Sequence, residues 1–184
     1  MGKFSAGKFL AGVIVISALV AGASIYYLQV YAYYEELPGQ GFGDVQMTRV
    51  DGRVVEPVLY TDFQAIDSDS SPIRYRACFQ TEMTQALMTE TYVSYPKAEP
   101  RNAPVWFDCF DAQEIGLAIR DGRALTFLGQ ENITYGIDRV VAILPDGRGF
   151  VWHQINRCGE VVFDGQRAPE DCPPPPSRLS GEGN

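Results

Sequence analysis

The chain has 184 residues, with 15 Lys and Arg against 23 Asp and Glu, a net charge of −8, and a single histidine. That length leaves room for one folded domain beyond an apolar N-terminus, and not for two. Only Lys3 and Lys8 are charged in the first 34 residues, so the remainder holds 13 basic against 23 acidic groups, near −10; a surface of that sign repels phosphate backbones and excludes nucleic acid as a partner.

In chain order, residues 1–8 form a short basic lead and residues 9–34 are 26 consecutive uncharged positions. As a helix rising about 1.5 Å per residue, that run exceeds the roughly 30 Å hydrocarbon core of a bilayer. The sequence therefore predicts a transmembrane anchor over residues 9–34, helical despite Val13, Ile14, Val15 and Ile16, because lipid offers the backbone no other partners. Lys3 and Lys8 precede the span while Glu35 and Glu36 follow it, which predicts a cytoplasmic N-terminus. Tyr26, Tyr27, Tyr31, Tyr33 and Tyr34 gather at the exit as an interfacial belt. A cleaved signal peptide is the competing reading, through the A-x-A-like Ala21-Gly22-Ala23; it too exports the rest of the chain. Ser17, Ala18, Ala21 and Gly22 have the spacing of a close helix–helix contact, although a lipid-facing helix is the plainer use.

Residues 35–44 read as a flexible glycine-rich linker and residues 45–172 as the folded domain. Val45 to Val50 and Val54 to Tyr60 flank Asp51-Gly52 and predict a hairpin, with Pro57 at an edge. Ile73 to Gln80 alternates as a strand, placing Cys78 opposite Ala77 and Phe79. Thr81 to Thr91 predicts a short helix from Met83, Ala86, Leu87 and Met88. Asp111 to Asp121 predicts a second helix, with Asp111 and Glu114 as a capping box and Gly122 as the stop. Ala124 to Leu128, Gly136 to Leu144 and Gly149 to Ile155 predict strands, the last two joined through Pro145-Asp146-Gly147. The expected class is α+β: an N-terminal transmembrane helix plus a small antiparallel-sheet domain with one or two helices. Residues 173–184 read as a disordered Pro-rich tail.

All four cysteines, Cys78, Cys109, Cys158 and Cys172, lie beyond the span. An even number of exported thiols predicts two disulfides. Three pairings are open; joining sequence neighbours, Cys78 with Cys109 and Cys158 with Cys172, is favoured. Zinc is disfavoured because structural sites use close C-x-x-C or H-x-x-x-H pairs, and the nearest cysteines here are Cys158 and Cys172.

The stretches LYTDFQAIDSDSSPIRYRACF (residues 59–79), WFDCFDA (residues 106–112) and YGIDRVVAILPDGRGFVWHQIN (residues 135–156) resemble an uncharacterised family of single-span alphaproteobacterial envelope proteins. The resemblance covers nearly the whole chain. It implies an inner-membrane anchor with a periplasmic domain and brings no catalytic residues. Members are sometimes labelled histidine kinase, a label these residues oppose. The sole histidine, His153, lies in a strand-like segment, and about 140 residues cannot hold both a dimerisation helix pair and an ATP-binding domain.

His153 shares a strand face with Val151 and Ile155, opposite Phe150, Trp152 and Gln154. A general base needs an activated nucleophile beside it; with the cysteines oxidised and no G-x-S-x-G elbow, a structural histidine is the favoured reading. Arg74 and Arg76 share one strand face and are candidates to clamp a ligand carboxylate, although pairing with the domain's own acids is the plainer use. Asp67, Asp69 and Ser71 match the first positions of an EF-hand loop, but Pro72 and Cys78 stand where glycine and glutamate are needed, so a turn is favoured. Asp108 and Asp111 as an acid/base pair yield to capping by Asp111. Asn132-Ile133-Thr134 matches a glycosylation acceptor, discounted for a bacterial chain. No cofactor, metal site or catalytic residue is assigned. The expected function is a membrane-anchored, non-catalytic accessory or interaction domain serving an envelope protein complex. The alternatives are a small-ligand sensor using Arg74, Arg76 and His153, or a hydrolase using His153 with a carboxylate.

Overall fold

The computed structural model describes residues 6–177. Expectations for Lys3 and for the end of the tail, residues 178–184, lie outside them. The chain divides into two compact units at Glu35/Glu36, described separately.

The first unit is helix α1, Ala6–Tyr27, continued by a wider π-helical turn over Leu28–Ala32. Together they make 27 residues, containing an 18-residue stretch with a mean hydropathy of 2.2, long and apolar enough to cross a membrane. The helix starts three residues before the predicted Phe9 and includes Lys8. It has no polar face: before the tyrosines Tyr26 and Tyr27 at its end, Lys8, Ser17 and Ser24 are its only polar side chains, as suits a rod solvated by hydrocarbon on every side. Its length and composition fit an anchor or a signal sequence.

Strand β1, Glu35–Leu37, stands at the boundary and leads into the second unit, so the segment read as a flexible linker begins with a short strand. It continues into a turn in which Asp44 accepts the Gln40 and Gly41 N–H groups and the Tyr60 hydroxyl. The predicted hairpin follows as β2, Gln46–Thr48, and β3, Val55–Pro57, paired antiparallel across Asp51-Gly52. Strand β4, Thr61–Asp67, has no counterpart in the sequence reading; it is bulged between Thr61 and Gln64, with Asp62 at φ +52°. After the Asp67–Ser71 turn comes β5, Arg76–Gln80. Helix α2, Gln85–Thr91, is capped by Thr84, and helix α3, Ala112–Arg120, by Asp111, whose carboxylate accepts Gln113 and Glu114 N–H. Gly122 and Arg123 donate back to Ile119 and Ala118 to close α3, as expected of that glycine. Strands β6, Leu125–Thr134, β7, Ile137–Ile143, and β8, Arg148–Ile155, form a meander, with β6 running six residues past its expected end through a bulge at Gly129. Helix α4, Arg157–Phe163, is again unforeseen. Residues 173–177 carry no helix or strand.

The six-stranded sheet runs β1-β4-β5-β8-β7-β6, and β2-β3 stands apart as a separate ribbon. Strands β7 and β8 are buried along almost their whole length because both sheet faces are covered. On one face Ala65, Ala77, Phe79, Phe127, Val141, Ile143 and Val151 pack against Val45, Met47 and Val58 of the ribbon segment and Met88 and Tyr92 of the α2 segment. The opposite face carries Phe150 and Trp152, on which Phe110 stands edge-on at centroid distances of 5.9 and 6.3 Å. The Cys78–Cys109 disulfide pins the Phe110 segment to β5, and Cys158–Cys172 ties the C-terminal segment to α4. Both bridges are the favoured sequence-neighbour pairs, and the α+β class stands.

Candidate functional site

Strand register places His153 directly across from Arg139 on β7. On β8's other side, Arg76 pairs with Trp152, so Tyr75 comes level with His153. The imidazole stacks on the Tyr75 ring with centroids 4.7 Å apart, and the Arg139 guanidinium lies 5.0 Å from that ring's centre. Arg139 Nε donates to His153 Nε2 at 3.1 Å. Since arginine is only ever a donor, Nε2 must carry the lone pair and Nδ1 the proton, which Nδ1 donates to the Pro72 carbonyl at 2.7 Å.

His153 is 5% exposed. Burial, followed by the charge on Arg139, pushes the His153 pKa down to about 4, because a second proton would be buried and aimed at a cation. Burial also pushes the Tyr75 hydroxyl up to about 12. Asp67 follows Ile66, the β4 partner of Arg76, and so ends the same polar row; burial raises its carboxyl pKa against the pull of the Ser68 N–H and Arg139. With both nitrogens committed and the ring neutral, this arrangement holds three strands in register and leaves His153 no open position for a substrate proton.

Arg76 lies on the sheet's other face, beside Trp152 rather than His153. It is 4% exposed and spreads its donors over the carbonyls of Arg101 (2.8 Å), Ile73 (2.9 Å), Tyr75 (2.6 Å) and Asn102 (3.3 Å), with its guanidinium 5.8 Å from the Phe110 ring centre. It staples the crossing loop to β5. Arg74 precedes the strand, half-buried, its N–H donating to Ser71 O. The three residues nominated as a ligand site are thus not gathered on one face. Sequence reading missed Tyr75 and Arg139 as the partners of His153. The available signal was Arg139 itself, a charge within the apolar run Ile137 to Ile143.

A groove of about 530 Å³ lies at the end of the sheet where β5 leaves it, walled by Leu59, Tyr60, Met83 and Leu87 and floored by Gln80 and Thr81. Leu59 is 80% exposed and Leu87 51%. Thr81 Oγ1 donates to Leu59 O, and Thr84 caps α2 beneath Leu87, so both leucines sit on fixed backbone.

Among known proteins, no curated protein and no solved structure matches the chain. A family model, the Family of unknown function (DUF6446), matches residues 45–173, from the first core residue of the ribbon to just past the second disulfide. With an N-terminal apolar helix preceding its disulfide-bonded α+β domain, the chain is therefore a member of the Family of unknown function (DUF6446).

Proposed function

We propose that this chain is a non-catalytic interaction domain of the alphaproteobacterial envelope, held to the inner membrane by residues 9–34 with its N-terminus in the cytoplasm and its domain in the periplasm, where it engages another envelope protein. The observation that carries this reading is the groove between Leu59 and Leu87: two leucines with most of their surface in water, on a rigid end of the sheet. Apolar surface left open in a fixed concavity gains free energy when covered, roughly 25 cal/mol per Å². Anchoring both partners in one membrane raises their effective concentration, so a modest contact suffices. The two disulfides and the Lys-before, Glu-after pattern around the span support export of the domain.

Photo-crosslinkers placed at Leu59 and Leu87, with exposed Gln113 on α3 as the control, test it in native membranes. The expected result is one envelope protein captured from both groove positions and not from Gln113, and lost from the Leu59 position when Leu87 becomes Glu. Identical adducts from all three positions would remove the basis for the groove.

A further inference from the structure

A second cavity, of about 370 Å³, opens between the segment after α2 and the start of α4, bounded by Tyr95, Pro96, Lys97, Glu131, Asp138 and Arg157, with the Cys158–Cys172 disulfide in its wall. Asp138 is 5% exposed. Among the described residues no basic side chain forms an ion pair with it. Neither cation in the wall serves: Arg157 grips Asp171 through two hydrogen bonds of 2.9 and 2.8 Å, and Lys97 is exposed. A carboxylate is thus held out of water with its charge balanced by hydrogen bonds alone, an arrangement that favours the arrival of a positive group.

The two oxygens of Asp138 are used unequally. Oδ1 accepts the Asn132 N–H at 2.9 Å and Asn156 Nδ2 at 2.7 Å, and through them fixes the β6–β7 turn and the cap of α4. Oδ2 accepts only the Tyr95 hydroxyl, at 3.2 Å, whereas an O–H donor to a carboxylate ordinarily approaches to about 2.5–2.7 Å. Each carboxylate oxygen has two acceptor sites, so Oδ2 retains capacity that the fold does not use.

We infer that this cavity binds a small primary ammonium compound, its N–H groups directed at Asp138 Oδ2. The alternatives fit worse. An anion meets the buried Asp138 as well as Glu131 and Asp171, against only the exposed Lys97 and an Arg157 that Asp171 already holds. A hard metal ion needs six or more oxygen ligands, and no cluster of three or more ligating side chains exists among the described residues. A primary ammonium supplies one charge and three donors in a compact head, while Pro96 and the disulfide offer an apolar wall to a short carbon stem. The site is separate from the leucine groove and independent of any partner there.

The test is amide NMR of the full-length chain in detergent, titrated with ethylammonium chloride and, as a cation without N–H donors, tetramethylammonium chloride. Ethylammonium should shift the Asn132 and Gly136 amides saturably with a Kd on the order of 1 mM, as befits so few atoms, and tetramethylammonium should bind at least about tenfold more weakly. Asp138→Asn should weaken ethylammonium by about tenfold or more. Equal response to both cations, no saturable response, or unaltered binding by a folded Asp138→Asn variant would each overturn the assignment. If that variant does not fold, Tyr95→Phe decides: it leaves Oδ2 without its donor, so ethylammonium should bind as tightly as to the wild type or more so, and weaker binding counts against the site.

Discussion

His153 behaves as a neutral hydrogen-bonding spacer whose proton inventory is set by its neighbours. In the folded chain it stays unprotonated down to about pH 4, whereas in the unfolded chain it takes up a proton near pH 6.5. Between those values the unfolded state binds more protons, so stability falls as pH drops from 6.5 to 4 and is flat above that window. The shift corresponds to about 3 kcal/mol. Asp67, with its folded pKa raised, acts in the opposite direction, so the informative quantity is a difference between variants. His153→Gln keeps a donor for Pro72 and an acceptor for Arg139 but does not titrate. Urea unfolding at pH 7, 5.5 and 4 should show the wild type losing more stability than the variant, by about that amount; parallel curves would contradict the role given to the imidazole. The alternation that puts His153 with Val151 and opposite Trp152 is plain in the sequence. Its partners are not, because Pro72 is 81 residues away and Arg139 is 14, and register across strands is settled by packing rather than by local pattern. The same holds for Arg76: period two predicted its face, yet nothing local signalled that a loop 25 residues later would bury it.

At the scale of elements, the hairpin, α3 and the β7–β8 turn were legible because each carries its own punctuation: Asp51-Gly52, the Asp111/Glu114 capping box, and Pro145-Asp146-Gly147. Strand β4 and helix α4 were not. In β4, acids at Asp62 and Asp67 and a bulge interrupt the alternation. Helix α4 contains Gly159 and the β-branched Val161 and Val162, poor helix formers, and it stands because it docks. At the docking point Gly159 lies against the backbone of Gly136, itself at φ +76°, and a Cβ on Gly159 would collide with the Gly136 carbonyl and the Ile155 side chain. Gly159→Ala should therefore lower the unfolding free energy by about 1–3 kcal/mol, read from denaturant midpoints; an unchanged midpoint would mean that α4 adds nothing to the sheet. The disulfides act through longer loops. Cys78–Cys109 closes a separation of 31 residues and Cys158–Cys172 one of 14, worth about 4 and 3 kcal/mol respectively if the effect is unfolded-chain entropy. Replacing each pair by Ala should reproduce that order, and the reverse order would point to native contacts, not loop length, as the source of the stabilisation.

The whole molecule couples an apolar rod to a domain whose sheet is covered on both faces, and what the rod does in the mature protein decides how the domain is presented. A signal sequence and an anchor share the composition of α1, so composition alone does not separate them. The helix runs without interruption through Ala21-Gly22-Ala23 and on to Ala32, and cutting there would leave Tyr26, Tyr27, Leu28, Tyr31 and Tyr33, all exposed in this structure, on the new N-terminus. Burying such rings at the headgroup boundary is favourable, while exposing them in water forfeits roughly 25 cal/mol per Å² of apolar surface. Retention is thus the arrangement in which both the rod and its aromatic collar have a solvent that suits them. Protein purified from membranes should show the intact mass of 20.4 kDa after allowing for disulfide hydrogens, resist extraction by alkaline carbonate, and require detergent. A chain beginning at Glu36 should fold with both disulfides and stay soluble without detergent. A mature protein starting near Ser24 and released by carbonate would replace the anchor with a cleaved leader and free the domain to diffuse, removing the gain in effective concentration on which the proposed engagement of a partner at the leucine groove relies.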